Sequence, residues 1–168
     1  NDVEGIYWAL YLEIVRKGAE MIHPAYKASG GKYGMVSGQV DPRWISNGTR
    51  MLAEGLQIAA QGENVMVKIP GSKEGYEVIE ELTARGISTN NTTSFTVPQY
   101  LRCMAAVSAG LLRAKAAGVD LSRWRSVITH MSARLGELGD WRTEAKARGI
   151  ELSLSEIRDG EEAVLKRA

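Results

Sequence analysis

Residues 64–72 read NVMVKIPGS: a short apolar run, a lysine near its end, and an immediate Pro-Gly-Ser break. Apolar runs of this length bounded by turn residues read as strands buried on both faces, the pattern of a parallel sheet. The ammonium group of Lys68 is out of place in such a strand. It either snorkels to water or gives up part of its hydration. Lost hydration favours the neutral amine, a nucleophile that can add to a carbonyl and form a Schiff base. The alternative is a strand-end lysine that reaches solvent or pairs with a carboxylate, as most charged residues do.

Outward from this strand, helical and strand patterns alternate. Residues 3–28 carry apolar positions at helical spacing, Ile6, Leu10 and Ile14 beside Ala9, Leu12 and Val15. MVSGQV (35–40) reads as a strand closed by Asp-Pro-Arg. Residues 46–60 read as a helix with Ser46 or Asn47 at its N-cap. After the 64–70 strand comes a helix capped by Ser72, weakened by Gly75 and ended by Gly86. ISTNNTTSF (87–95) is a β-branched strand, and residues 96–118 a long helix with Pro98 in its first turn. RSVITHMSARL (125–135) reads as a fourth strand, with helical patterns at 139–148 and 153–167 beyond it. Gln39 to Lys68 is 29 residues and Lys68 to Thr92 is 24, close to the ~30 of one βαβ unit. The expected class is therefore α/β with right-handed parallel crossovers, either an open sheet or a TIM barrel. No G-x-G-x-x-G follows a strand, which weakens the dinucleotide-binding option.

Composition narrows the functional classes. With 168 residues, 44% of them hydrophobic, the chain can form one domain with a real core. The 21 basic and 20 acidic residues nearly cancel and form no basic stripe, so nucleic acid is not an expected partner. No apolar run reaches the roughly 18 residues of a membrane span, and the first residues lack signal-peptide character. A lone cysteine, Cys103, excludes an internal disulfide, and the expected location is the cytoplasm. Two histidines without a cysteine cluster make zinc improbable, so the expected metal set is none. Both ends of the chain read as helical, which suggests a piece of a longer polypeptide.

In folds of this class, functional groups gather at the carboxyl ends of the strands. Those ends hold Gln39, Lys68, Asn90 with Thr92, and Thr129 with Arg134. Amides and hydroxyls of this kind can orient a water and a sugar, and the arginine can grip a phosphate bidentately. Asp41 and Arg43 read as loop pins, His130 as a packed histidine, and the six methionines as gap fillers.

Four segments, MVSGQVDPR, NVMVKIPGSKEG, GISTNNTTSF and THMSAR, resemble in order and spacing the motifs of transaldolases. The corresponding family runs are V-S-x-E-V-D-P-R, I-K-I-P-x-T-x-E-G, G-I-x-x-N-x-T-L-x-F and S-P-F-V-x-R. The resemblance implies a (β/α)8 barrel of which this chain holds about strands three to six, so that residues 1–168 form a single domain, the central part of the barrel. It implies that Lys68 is the Schiff-base lysine, that Thr92 helps hold the catalytic water, and that Asn90 and Thr129 bind the sugar while Arg134 binds its phosphate. Gln39 stands where transaldolases have a glutamate; fructose-6-phosphate aldolases also carry glutamine there. Thr93-Ser94 replaces an apolar pair and His130-Met131 replaces Pro-Phe. The family's acid/base aspartate, on its first strand, has no counterpart in this chain.

The implied activity is transfer of a dihydroxyacetone unit between sugar phosphates in the pentose phosphate pathway, without a cofactor. The alternatives are aldolase-type cleavage of fructose 6-phosphate, a hydrolase or lyase using Lys68 only as a cation, and a non-catalytic sugar-phosphate-binding or assembly module. Expected partners are sugar phosphates, with a homo-oligomer or the remainder of the barrel completing the assembly.

Overall fold

A computed structural model describes residues 2–131, 134, 141–153, 155–156 and 159–160. It is an α/β fold built on a four-stranded sheet. The strands are β1 (Val36–Gln39), β2 (Val65–Pro70), β3 (Thr89–Thr92) and β4 (Ser126–Ile128), all parallel and in the spatial order of the chain. Helices α1 (Val3–Ala28), α2 (Gly48–Ala59), α3 (Lys73–Ala84) and α4 (Val97–Ala116) alternate with them, and α5 (Trp141–Ala147) follows. Sequential order with parallel pairing is what short βα repeats produce, and it is the arrangement of successive strands in a barrel.

Local chemistry sets the helix starts. Asn47, Ser72 and Thr96 each accept a backbone N–H three residues on through their side-chain oxygens. Thr96 and Gln99 complete a reciprocal capping box, with Pro98 in the first turn where its missing N–H costs nothing. Gly86 ends α3 with φ at 74°, a left-handed turn that L side chains adopt at a cost.

One face of the sheet carries the core. Val65, Val67 and Ile69 of β2 pack with Val15 and Ala19 of α1, Met51 and Ile58 of α2, and Val78, Ile79 and Leu82 of α3. Burying each such aliphatic side chain contributes about 1.5–3 kcal/mol. Because side chains alternate along a strand, Ser37, Gln39, Met66, Lys68 and Asn90 lie on the opposite face, as their register confirms.

Two expectations change. The Ile6, Leu10 and Ile14 stripe of α1 faces outward, 52–66% exposed; the sheet-facing side is instead Trp8, Tyr11, Leu12, Val15 and Ala19. Helix α1 is apolar on more than one side, so periodicity alone leaves the choice of face open. Similarly, α4 turns the small residues Cys103, Ala106, Gly110 and Ala114 inward and leaves Leu101 and Leu112 exposed. The fourth strand ends at Ile128 rather than running to residue 135; past Thr129 the backbone makes no further ladder bond to β3 among the described residues. The helical pattern at 153–167 falls mostly outside the described residues. Among the described residues no helix is long and apolar enough to cross a membrane.

At the amino ends of the strands, Glu63 joins three elements. Its carboxylate meets Lys27 Nζ at 2.6 Å, His23 Nε2 at 2.8 Å and Arg123 Nη1 at 2.9 Å. Hydrogen bonds from Lys27 and then His23 pull its pKa from 4.5 to about 2, with the charges of Lys27 and Arg123 adding to the effect. A depressed carboxylate stabilises the fold above its unfolded pKa and loses that contribution as pH falls through the folded value. The expected result is that Glu63→Gln lowers the urea midpoint near neutral pH. The gap from wild type should then close between pH 4.5 and about 2. A gap independent of pH would contradict the assignment.

Candidate active site

The register of the sheet places Gln39, Lys68 and Asn90 side by side on the face away from the helices. Lys68 is half-buried, near the carboxyl end of β2. Among the described residues its ammonium group has no hydrogen-bond or ion-pair partner. No carboxylate of the described residues ties up the amine, the arrangement that would make it merely structural.

Asn90 is held on both sides. Its Nδ2 donates to Ser37 Oγ at 3.0 Å, and its Oδ1 accepts from Thr129 Oγ1 at 2.7 Å. The first of these bonds joins β1 to β3 across β2. Strands are about 4.8 Å apart and β1 and β3 therefore roughly 9.6 Å apart on a flat sheet. Serine and asparagine side chains close that distance only if the sheet curves toward this face. Curvature with the lysine on the concave side is the geometry of a barrel wall.

Thr92 lies two residues past Asn90, in register with Pro70 and 3% exposed. Its hydroxyl is directed at Met131 Sδ, 3.8 Å away, a weak acceptor that leaves the oxygen free to accept. Met131, read from sequence as a gap filler, thus borders the site.

Thr93 follows with φ at 60°, an uncommon conformation for a β-branched residue. Its Oγ1 donates to the Thr92 carbonyl at 2.6 Å and accepts the Gly71 N–H at 3.2 Å. The same Gly71 N–H donates to the Thr92 carbonyl at 2.7 Å. Ser94 Oγ and Tyr76 Oη lie 2.9 Å apart, both buried, and Gln99 Nε2 donates to the Gly71 carbonyl at 3.3 Å. The loops after β2 and β3 are knit together by these bonds, immediately above Lys68. The signal in the sequence was the polar Thr93-Ser94 pair itself.

Gln39 is half-buried, and its side-chain amide has no hydrogen-bond partner among the described residues. Its backbone N–H, on the open edge of β1, donates to Tyr11 Oη at 2.5 Å. Burial pushes the Tyr11 phenol pKa up, despite the opposing bond from Gln39, so the hydroxyl stays neutral. Gln39 also lines a cleft of about 400 Å³ walled by Tyr7, Trp8, Tyr11 and Arg43. Asp41 accepts the Arg43 backbone N–H at 2.9 Å and its guanidinium Nε at 2.8 Å, and Arg43 reaches on to Glu4 at 2.9 Å. The guanidinium holds the Asp41 carboxyl below its ordinary range and pins the loop after β1.

The remaining expected residues lie at the β4 end. Thr129 extends the ladder by donating its N–H to the Asn91 carbonyl at 2.9 Å. Arg134 is exposed, and its backbone N–H donates to the Met131 carbonyl at 3.1 Å; among the described residues nothing joins its side chain to the group around Lys68. His130 is exposed and faces the Tyr100 ring at 5.6 Å, so it is not the packed histidine expected from sequence. Ser37 matches the serine of the V-S-x-E-V-D-P-R run, but its place in the site depends on the curvature that brings Asn90 to it.

Residues 1–157 match the family model for transaldolase/fructose-6-phosphate aldolase. The chain is similar to a Streptomyces avermitilis protein called transaldolase 1, with 42% identity over 123 residues, 72% of this chain and 32% of that protein. It is 39% identical to a Saccharopolyspora erythraea transaldolase over 140 residues, 82% of this chain and 38% of the relative. With a Thiobacillus denitrificans transaldolase the identity is 33% over 151 residues, covering 89% and 41%. The chain thus spans about a third to two fifths of the length of these relatives.

Proposed function

The chain belongs to the transaldolase/fructose-6-phosphate aldolase family, and from that premise we propose that Lys68 is the Schiff-base nucleophile of a transaldolase acting on phosphorylated ketoses. The observation that carries this reading is the half-buried amine of Lys68, without a partner among the described residues, between Gln39 and Asn90 on the concave face.

In the proposed reaction, Lys68 Nζ adds to the ketose carbonyl carbon and water leaves, giving an iminium ion. The C3–C4 bond then breaks. Its electron pair moves toward the iminium nitrogen, the C4 hydroxyl gives up its proton, and an aldose phosphate departs. The enamine left on Lys68 attacks the carbonyl of an acceptor aldose phosphate, and water releases the new ketose. Asn90 and Thr129 hold the hydroxyls of the bound three-carbon unit, Arg134 holds the phosphate, and Thr92 with Gln39 positions the water. An amide exchanges no proton, so Gln39 orients rather than titrates, and the C4 proton passes to a group other than Gln39. Gln39 also favours a second reading, cleavage of fructose 6-phosphate without an acceptor.

We propose further that residues 1–168 are the central part of one barrel domain, in the cytoplasm. Among the described residues both sheet edges are open, and apolar stripes on α1 and α4 face away from this core. The remaining strands and helices of the same polypeptide would cover them; a homo-oligomer is the alternative. The experiment is borohydride reduction of the full-length protein with fructose 6-phosphate, followed by intact-mass and peptide analysis. An adduct on Lys68 is expected. Turnover without any adduct would overturn the reading.

A further inference from the structure

The geometry points to Ser37 as a positioning residue that acts on the bound substrate through Asn90, an inference that rests on the function proposed for Lys68. Ser37 stands opposite Met66 in the register, one layer below Lys68, which stands opposite Asn90. The 3.0 Å bond from Asn90 Nδ2 to Ser37 Oγ therefore crosses β2 diagonally, between the Met66 and Lys68 positions. With the 2.7 Å bond from Thr129 to Asn90 Oδ1, it forms a polar crossbar spanning all four strands. Met66, on the lower side of that bar, is 5% exposed although it lies on the open face. Lys68, on the upper side, is half-buried, two residues from the carboxyl end of β2.

Two consequences follow. The crossbar is a floor that keeps the amine from sinking into the interior of the concave face. It also immobilises the Asn90 amide by bonds at both ends, leaving one N–H and one lone pair for the three-carbon unit attached to Lys68. An amide held on one side only would have to be ordered by the substrate itself, which slows the step that needs it in place. The acceptor aldose enters only the second half-reaction, so its kcat/KM does not contain the step that forms the adduct.

The test compares wild type, Ser37→Ala and Ser37→Thr in the full-length protein. It measures the single-turnover rate of borohydride-trappable adduct with fructose 6-phosphate, the kcat/KM for erythrose 4-phosphate as acceptor, and the thermal midpoint. Loss of one positioning hydrogen bond predicts an adduct rate about tenfold lower in Ser37→Ala. The acceptor kcat/KM and the midpoint should be unchanged, and Ser37→Thr, which keeps the hydroxyl, should restore the rate. An unchanged adduct rate in Ser37→Ala overturns the inference alone. So does a slowed rate that comes with a lower midpoint and is not restored by threonine. A wild-type protein that traps no ketose at Lys68 removes the underlying reading and this inference together.

Discussion

Lys68→Arg should abolish covalent trapping of a ketose phosphate and lower kcat by on the order of 10⁴-fold, the scale of losing a covalent nucleophile. Arginine keeps the positive charge and a similar reach. Its guanidinium stays protonated in proteins and offers no lone pair to a carbonyl. The substitution therefore separates the imine role from a purely electrostatic one, in which arginine would retain a substantial part of the activity. Stability provides the control. Lys68 makes no hydrogen bond or ion pair among the described residues, so replacing it breaks none of theirs, and arginine keeps an aliphatic stem of similar length. Its apolar neighbours in β2, Val67 and Ile69, point to the other face. The thermal midpoint of Lys68→Arg should stay within a few degrees of wild type, roughly what a change below 1 kcal/mol produces. Turnover that survives the arginine substitution would remove Lys68 from the chemistry.

The second large effect is expected at Gly75→Ala, and its sign runs against helix propensity. Alanine in a helix is favoured over glycine by about 1 kcal/mol. At Gly75, however, a Cβ would lie 2.1 Å from the Pro70 carbonyl oxygen and 3.1 Å from Ser72 Oγ. Neither can step aside cheaply. The Pro70 carbonyl ends β2 and accepts the Ser72 N–H at 3.0 Å, while Ser72 Oγ caps α3 by accepting the Gly75 N–H at 3.0 Å. A clash with anchored backbone costs about 1–3 kcal/mol or more, against a total stability of about 5–15 kcal/mol. The expected result is a clear fall in the urea midpoint. The strain falls on Pro70-Gly71, two residues past Lys68, so the adduct rate should fall as well. A midpoint equal to or above wild type would show that the first turn of α3 has room that this packing denies it.

Much of the architecture is readable along the chain because it depends on near neighbours. The N-caps at Asn47 and Ser72, the proline in the first turn of α4 and the glycine ending α3 are local hydrogen-bonding and φ/ψ effects. The spacing of strands and helices follows from apolar periodicity, which already implies parallel βα repeats. The anomaly of Lys68 was visible for the same reason: a charge in an apolar strand is a local contradiction.

Other features depend on residues that meet only in the folded sheet. The chain carries two apolar sides on α1, and packing against β1 and α2 selects Trp8, Leu12 and Val15 over Ile6, Leu10 and Ile14. The strand β4 stops at Ile128, opposite Asn91, although β3 runs on to Thr92. Ser37 enters the site only because the sheet curves, closing a gap between first and third strands that no spacing in the sequence encodes. Short-range rules of capping and periodicity thus specify the elements and their order, whereas which face is buried and which side chains converge depend on long-range contacts formed when the strands pair and curve.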